Sequence, residues 1–122
     1  MYDITTETQF SAAHRLKHYQ GPCENLHGHN WLVRATVTCS ELDKCGIGID
    51  FKVLKEKLRE IVADFDHKDL NAVLEHEDLN PSSENMARHI FHRLRRSLDG
   101  WNGAVNRVEV FETPGNCAAY YE

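Results

Sequence analysis

Hydrophobic and polar positions alternate near both ends of the chain and recur at helical spacing in its middle. In "YDITTETQFSAAH" Thr and aromatic residues dominate, and "WLVRATVTC" sets Leu32, Arg34, Thr36 and Thr38 against Val33, Ala35, Val37 and Cys39. A period of two belongs to a strand with one face turned to a core. Two N-terminal antiparallel strands are therefore expected, with Cys39 in the apolar register as a core residue. "SELDKCGIGIDF" then carries turn formers around Asp43 and Gly46 before a short extended run.

From Phe51 the period changes. Phe51, Leu54, Leu58, Ile61, Val62 and Phe65 fall three or four apart with charged residues between them, which predicts an amphipathic helix capped by Asp50. A second helix is expected from "NPSSENMARHI", with Pro81 in its first turn and Ser82 or Ser83 as cap. It runs through Met86, Ile90, Leu94 and Leu98 to a stop near Gly100. "AVNRVEVFET" returns to strand alternation until Pro114 and Gly115 break it. The order reads ββααββ, an α+β class in which an antiparallel sheet carries two helices on one face.

Composition narrows the possibilities. With 122 residues, 41% of them hydrophobic, and no internal repeat or linker, one domain spanning 1–122 is expected. Lys and Arg number 14 against 19 Asp and Glu, so a nucleic-acid partner held by phosphate neutralisation is not expected. "MYDITTETQF" lacks the features of an export signal, and no apolar run is long enough for a bilayer. A cytoplasmic protein with no membrane partner is expected, with its four cysteines reduced.

Eight histidines then demand a reason. In an extended segment His27 and His29 point the same way, with Gly28 leaving room between them, and a neighbouring strand can add His14. Three imidazoles suit Zn²⁺ with one position left open. The same residues also read as ordinary polar side chains. Cys23, four positions before His27, reads equally as a fourth ligand closing a structural site.

Together, "FSAAHRL", "CENLHGHN", "IDFKVLK", "DHKDLN", "PSSENMA" and "VFET" resemble the 6-pyruvoyl-tetrahydropterin synthase family, in the family's order, from about Phe10 to Thr113. The resemblance implies zinc held by His14, His27 and His29, and Cys23 acting as a catalytic base. It implies Asp66 and His67 as the pair that activates the thiol, and Glu112 as the anchor of a pterin ring. It also implies the tunnelling fold (T-fold), in which sheets of several subunits close an oligomeric barrel with active sites between subunits; a homohexamer built as a dimer of trimers is expected. The CxxxHGH spacing resembles the bacterial 6-carboxy-tetrahydropterin branch of queuosine biosynthesis, whose substrate is a pterin triphosphate. The alternatives are the 6-pyruvoyl reaction and a zinc-stabilised pterin-binding module without turnover. Arg15, Lys17 and Lys68 are the expected triphosphate partners. Trp31 and Gly48 depart from the commoner pattern. His18, His76, His89 and His92 read as surface residues, with His89 and His92 spaced for a weak second metal site.

Overall fold

The alternating stretches become long strands because each has one apolar and one polar edge to satisfy. In the computed structural model, which describes residues 1–122, β1 (Tyr2–His14) and β2 (His27–Cys39) pair antiparallel without a break, from Tyr2↔Cys39 to His14↔His27. β4 (Ala104–Thr113) joins the other side of β2, and β5 (Asn116–Tyr120) folds back on β4. Two helices cover one face. α1 (Phe51–Val62) begins at Asp50, whose carboxylate accepts from the Lys52 N–H at 2.7 Å. The longer helix, α3 (Ser83–Ser97, after a short α2 introduced below), begins at Ser82, whose hydroxyl accepts from the Asn85 N–H. Pro81 therefore precedes the cap instead of opening the first turn, and its free carbonyl matters below.

Phe10, Trp31, Val33, Val37, Val108 and Val110 line the inner face of the sheet, and Leu54, Leu58, Met86, Ile90 and Leu94 meet them from the helices. All belong to one cluster of 22 buried residues. Burying each large aliphatic side chain contributes about 1.5–3 kcal/mol, so this contact fixes the helices on the sheet. Cys39 is buried, as its register predicts. No helix is long and apolar enough to cross a membrane.

Two regions differ from expectation. The extended run after Gly46 does not form. Asp43 instead accepts from the Cys45 and Ile47 N–H groups at 2.8 and 2.9 Å, so the backbone is satisfied by a turn. Gly48 belongs to this turn, and a Cβ there would overlap Cys39 Sγ and Ile4 Cδ1, which explains why no bulkier residue occupies it.

The segment after α1 also holds more structure than its pattern suggests. β3 (Lys68–Asp69) pairs parallel with β1 and gives the sheet order β3-β1-β2-β4-β5, so the sheet is not wholly antiparallel. A four-residue α2 (Leu70–Val73) and a 3-10 turn (Glu75–Glu77) follow. The segment is pinned to β1 at Ser11, whose N–H donates to Asp66 at 2.9 Å and whose carbonyl accepts from the His67 N–H at 2.6 Å. His67 adopts a left-handed conformation, φ 58°, to make this turn. Two-residue strands leave no periodicity to read.

Candidate active site

His14 and His27 are a cross-strand pair at the end of the β1–β2 ribbon, and His29 follows two residues along the same face. Strand geometry alone therefore gathers three imidazoles, with ring centroids 4.6 to 5.3 Å apart. Gly28 does not make room between them. Its missing Cβ would point to the opposite face, where it would meet only the Ala12 carbonyl at 3.8 Å. The floor of the cluster is Trp31, fully buried, stacked on Phe10 and edge-on to His14 and His29. Its indole N–H donates to the Ala12 carbonyl at 3.2 Å, so the large ring is held without an unmet polar atom.

The second nitrogen of each ring decides what the first can do. His14 Nδ1 is 2.7 Å from the Pro81 carbonyl, and His27 Nδ1 is 2.7 Å from the Asn25 carbonyl. A carbonyl only accepts, so both Nδ1 atoms carry the proton and both Nε2 atoms present lone pairs to the centre. Nε2 of His14 and of His29 are buried without a hydrogen-bond partner. Burial also holds the His29 pKa below its ordinary value, against the opposing pull of Glu112, which favours the neutral ring. Buried lone pairs aimed at one point fit a metal ion.

Glu112 completes the group. It lies where the β4–β5 register slips between Phe111 and Thr113, an irregularity that re-aims its side chain. Its Oε1 is 2.7, 3.4 and 3.8 Å from Nε2 of His29, His14 and His27, although the His29 contact is too oblique to count as a hydrogen bond. Ser83 Oγ, on the first turn of α3, donates to Oε2 at 3.5 Å. The donor atoms of His14, His27, His29 and Glu112 all lie within 4.8 Å of one another, an arrangement that could hold a metal ion. The sequence reading assigned Glu112 to a pterin ring by resemblance, and the structure sets it beside the histidines.

The sequence profile of the 6-pyruvoyl tetrahydropterin synthase family matches residues 3–122. The chain belongs to this family. A relative from Synechocystis, named 6-carboxy-5,6,7,8-tetrahydropterin synthase, is 38% identical over 99% of this chain and 94% of its own. A Dictyostelium discoideum relative, named 6-pyruvoyl tetrahydrobiopterin synthase, is 31% identical over 96% of this chain and 93% of its own. Among solved structures, the 6-pyruvoyl tetrahydropterin synthase of Caenorhabditis elegans superposes with a TM-score of 0.83 at 29% identity, covering 100% of this chain and 97% of that one. The α+β architecture is thus the family's T-fold, and this family member is an enzyme, a lyase.

The remaining residues of interest in this synthase-family chain lie outside the group of convergent donors. Cys23 sits in a 3-10 turn (Pro22–Glu24), partly exposed and outside the donor group, so it does not close a four-ligand site. Asp66 and His67 are paired, Oδ1 to Nδ1 at 3.0 Å, beside the Ser11 backbone of β1. The Ser11 N–H, followed by His67, holds the Asp66 pKa below its ordinary value. No hydrogen bond joins Cys23 to His67 within the chain. His67 and Lys68 line a groove of about 480 Å³ with Ser11, Gly28, His29 and Asn30. Arg15 and Lys17 are exposed on the arm that follows β1.

His18 and His76 are exposed as expected, but His89 is largely buried, with its Nδ1 3.2 Å from Glu77. It forms no metal group with His92. The sequence reading missed the Pro81 and Asn25 carbonyls, which no residue type signals, and Asn71 and Asn80, discussed below.

Proposed function

We propose that the chain converts 7,8-dihydroneopterin triphosphate into 6-carboxy-5,6,7,8-tetrahydropterin, releasing acetaldehyde and triphosphate, in the cytoplasmic route to queuosine. The observation that carries this reading is the convergence of three Nε2 lone pairs, two of them fixed by Nδ1–H···O=C bonds, in a chain 38% identical to the Synechocystis relative of that name. His14, His27 and His29 would hold Zn²⁺, which imidazole donors suit. Zinc in that position supplies Lewis acidity, easing removal of a proton beside a substrate oxygen.

The chain's own residues supply the rest. Cys23 takes that proton as a thiolate, and a paired histidine is the usual way to stabilise one. Asp66 orients the His67 ring through Nδ1, leaving Nε2 free to face a thiol. No hydrogen bond joins the two within one chain, so we assign the pairing to neighbouring subunits of a homohexamer built from two trimers. The His67 side chain, 81% exposed, is available for that contact. Glu112 offers a carboxylate to the paired N–H donors of a pterin ring, and its neighbourhood to the histidines brings ring and metal to one place.

Zinc-loaded protein incubated with 7,8-dihydroneopterin triphosphate tests the proposal. Acetaldehyde together with a product of 6-carboxy-tetrahydropterin mass is expected, and neither appearing over repeated turnovers would sink it. The Dictyostelium relative favours a second reading, triphosphate elimination to a 6-pyruvoyl product, which the product mass distinguishes.

A further inference from the structure

Beyond His14 the chain leaves the sheet, yet the backbone polar groups of Arg15 and Lys17 still meet side chains on one flank while the Leu16 N–H bonds elsewhere. In an extended segment, residues two apart turn both backbone polar groups to the same edge, and the residue between turns its own to the other edge. Arg15 and Lys17 face one edge, and no strand is there to meet them. Two asparagine side chains stand in for it. Asn71 Oδ1 accepts from the Arg15 N–H at 2.8 Å while its Nδ2 donates to the Arg15 carbonyl at 3.0 Å. Asn80 repeats the motif on Lys17, accepting at 2.9 Å and donating at 2.9 Å.

On the opposite edge the Leu16 N–H donates to the Cys23 carbonyl at 2.8 Å. The turn that carries the thiol is thereby stitched to a segment gripped from the other side. The grips are themselves anchored: Asp69 accepts from the Asn71 N–H at 3.0 Å, and Asn85 donates to the Asn80 carbonyl at 2.9 Å at the start of α3. The same corner supplies the Pro81 carbonyl that fixes His14. One short stretch before α3 thus sets both a metal-facing imidazole and the arm that bears Cys23.

We infer that Asn71 and Asn80 are positioning residues, which hold the Cys23 arm in register with the histidine cluster by clamping the Arg15 and Lys17 backbone through paired hydrogen bonds from their side-chain amides. The inference rests on the proposed role of Cys23 and deepens it. An asparagine suits this task because one planar group offers a donor and an acceptor side by side, as a strand edge does. Asn71→Asp and Asn80→Asp each keep size and acceptor but lose the donor.

The test uses full-length, zinc-loaded protein in a Cys45→Ser/Cys117→Ser background, so that Cys23 is the one partly exposed thiol. Amide exchange at Arg15 and Lys17, iodoacetamide alkylation of Cys23, zinc content, and kcat and KM across pH are measured for each variant. Faster exchange, Cys23 alkylation raised about threefold or more, and full zinc content are expected as the arm opens. A kcat roughly tenfold lower with KM nearly unchanged is expected from misplacement of a reacting group. The pH profile of kcat should also shift, which general destabilisation would not cause.

Unchanged exchange and alkylation would overturn the clamp. A loosened arm with kcat intact would overturn its positioning role. Asn80→Ser, which shortens the side chain without adding charge, must reproduce the Asp result, or the effect belongs to the carboxylate and the inference falls. Cys23→Ala reports separately on the underlying reading: retained turnover there removes the thiol from the reaction, and with it the functional half of the inference, whatever exchange shows about the clamp.

Discussion

Replacing Glu112 with Gln separates two roles that the structure lets one carboxylate serve. Its Oε1 lies 2.7 to 3.8 Å from three imidazole nitrogens, so it faces any ion they hold. Three Nε2 atoms already converge without it, and loss of a supporting carboxylate beside a metal typically costs about tenfold to a hundredfold in affinity. Zinc at one per chain should therefore survive gel filtration, with a weaker constant in chelator competition.

The effect on substrate is of another kind. Charge-assisted bonds to a cyclic amidine edge are worth about 1.5–3 kcal/mol, and Gln loses the charge and presents an N–H to an N–H. The side chain is 28% exposed, so solvent screening places the loss toward the lower part of that range, a fall of about tenfold to thirtyfold in kcat/KM. Complete loss of zinc would make Glu112 an essential ligand and refute the reasoning. Full zinc with unchanged kcat/KM would refute it from the other side.

Two further expectations concern stability. Gly48→Ala drives a methyl into Cys39 Sγ and Ile4 Cδ1 and should cost about 1–3 kcal/mol, read as a melting temperature roughly 4–12 °C lower; adding Cys39→Ala should recover part of it, and an unchanged melting curve would contradict the packing. Burial, opposed by Glu77, lowers the His89 pKa, so the unfolded chain binds this proton first as pH falls. The associated stability is present above the ordinary histidine value near 6.5 and is lost as pH drops through the lowered folded value. His89→Gln should flatten that acid limb in thermal melts between about pH 7 and 5, and an identical slope in both proteins would argue against it.

What the sequence made legible follows from the range of the forces involved. Strand and helix periods report on burial face by face, so β1, β2, β4, α1 and α3 could be read from the spacing of apolar, aromatic and β-branched residues. The pairing of His14 with His27 was legible too, because antiparallel register is a local consequence of two long alternating runs. Turn chemistry at Asp43 and side-chain pairing at Ser11 left no period, so the lost strand after Gly46 and the parallel β3 went unread. The largely buried His89 was misjudged because it packs on Phe65 and meets Glu77, neighbours from outside α3. Glu112 was placed at the substrate by resemblance, but its closeness to the imidazoles depends on a register slip between Phe111 and Thr113, which only the paired strands reveal.

The unbroken β1–β2 ribbon has a consequence for the order of events during folding. His14, His27 and His29 all lie within the first 39 residues, and the register that gathers them is a pairing of β1 with β2. Local hairpins close in microseconds, whereas Pro81 and Glu112 must be brought back over long loops. A metal ion can therefore be captured by the hairpin before α3 and β4 arrive. The free energy of binding any ion these residues hold would then bias the late, non-local steps toward the native fold, which would make that ion a folding template.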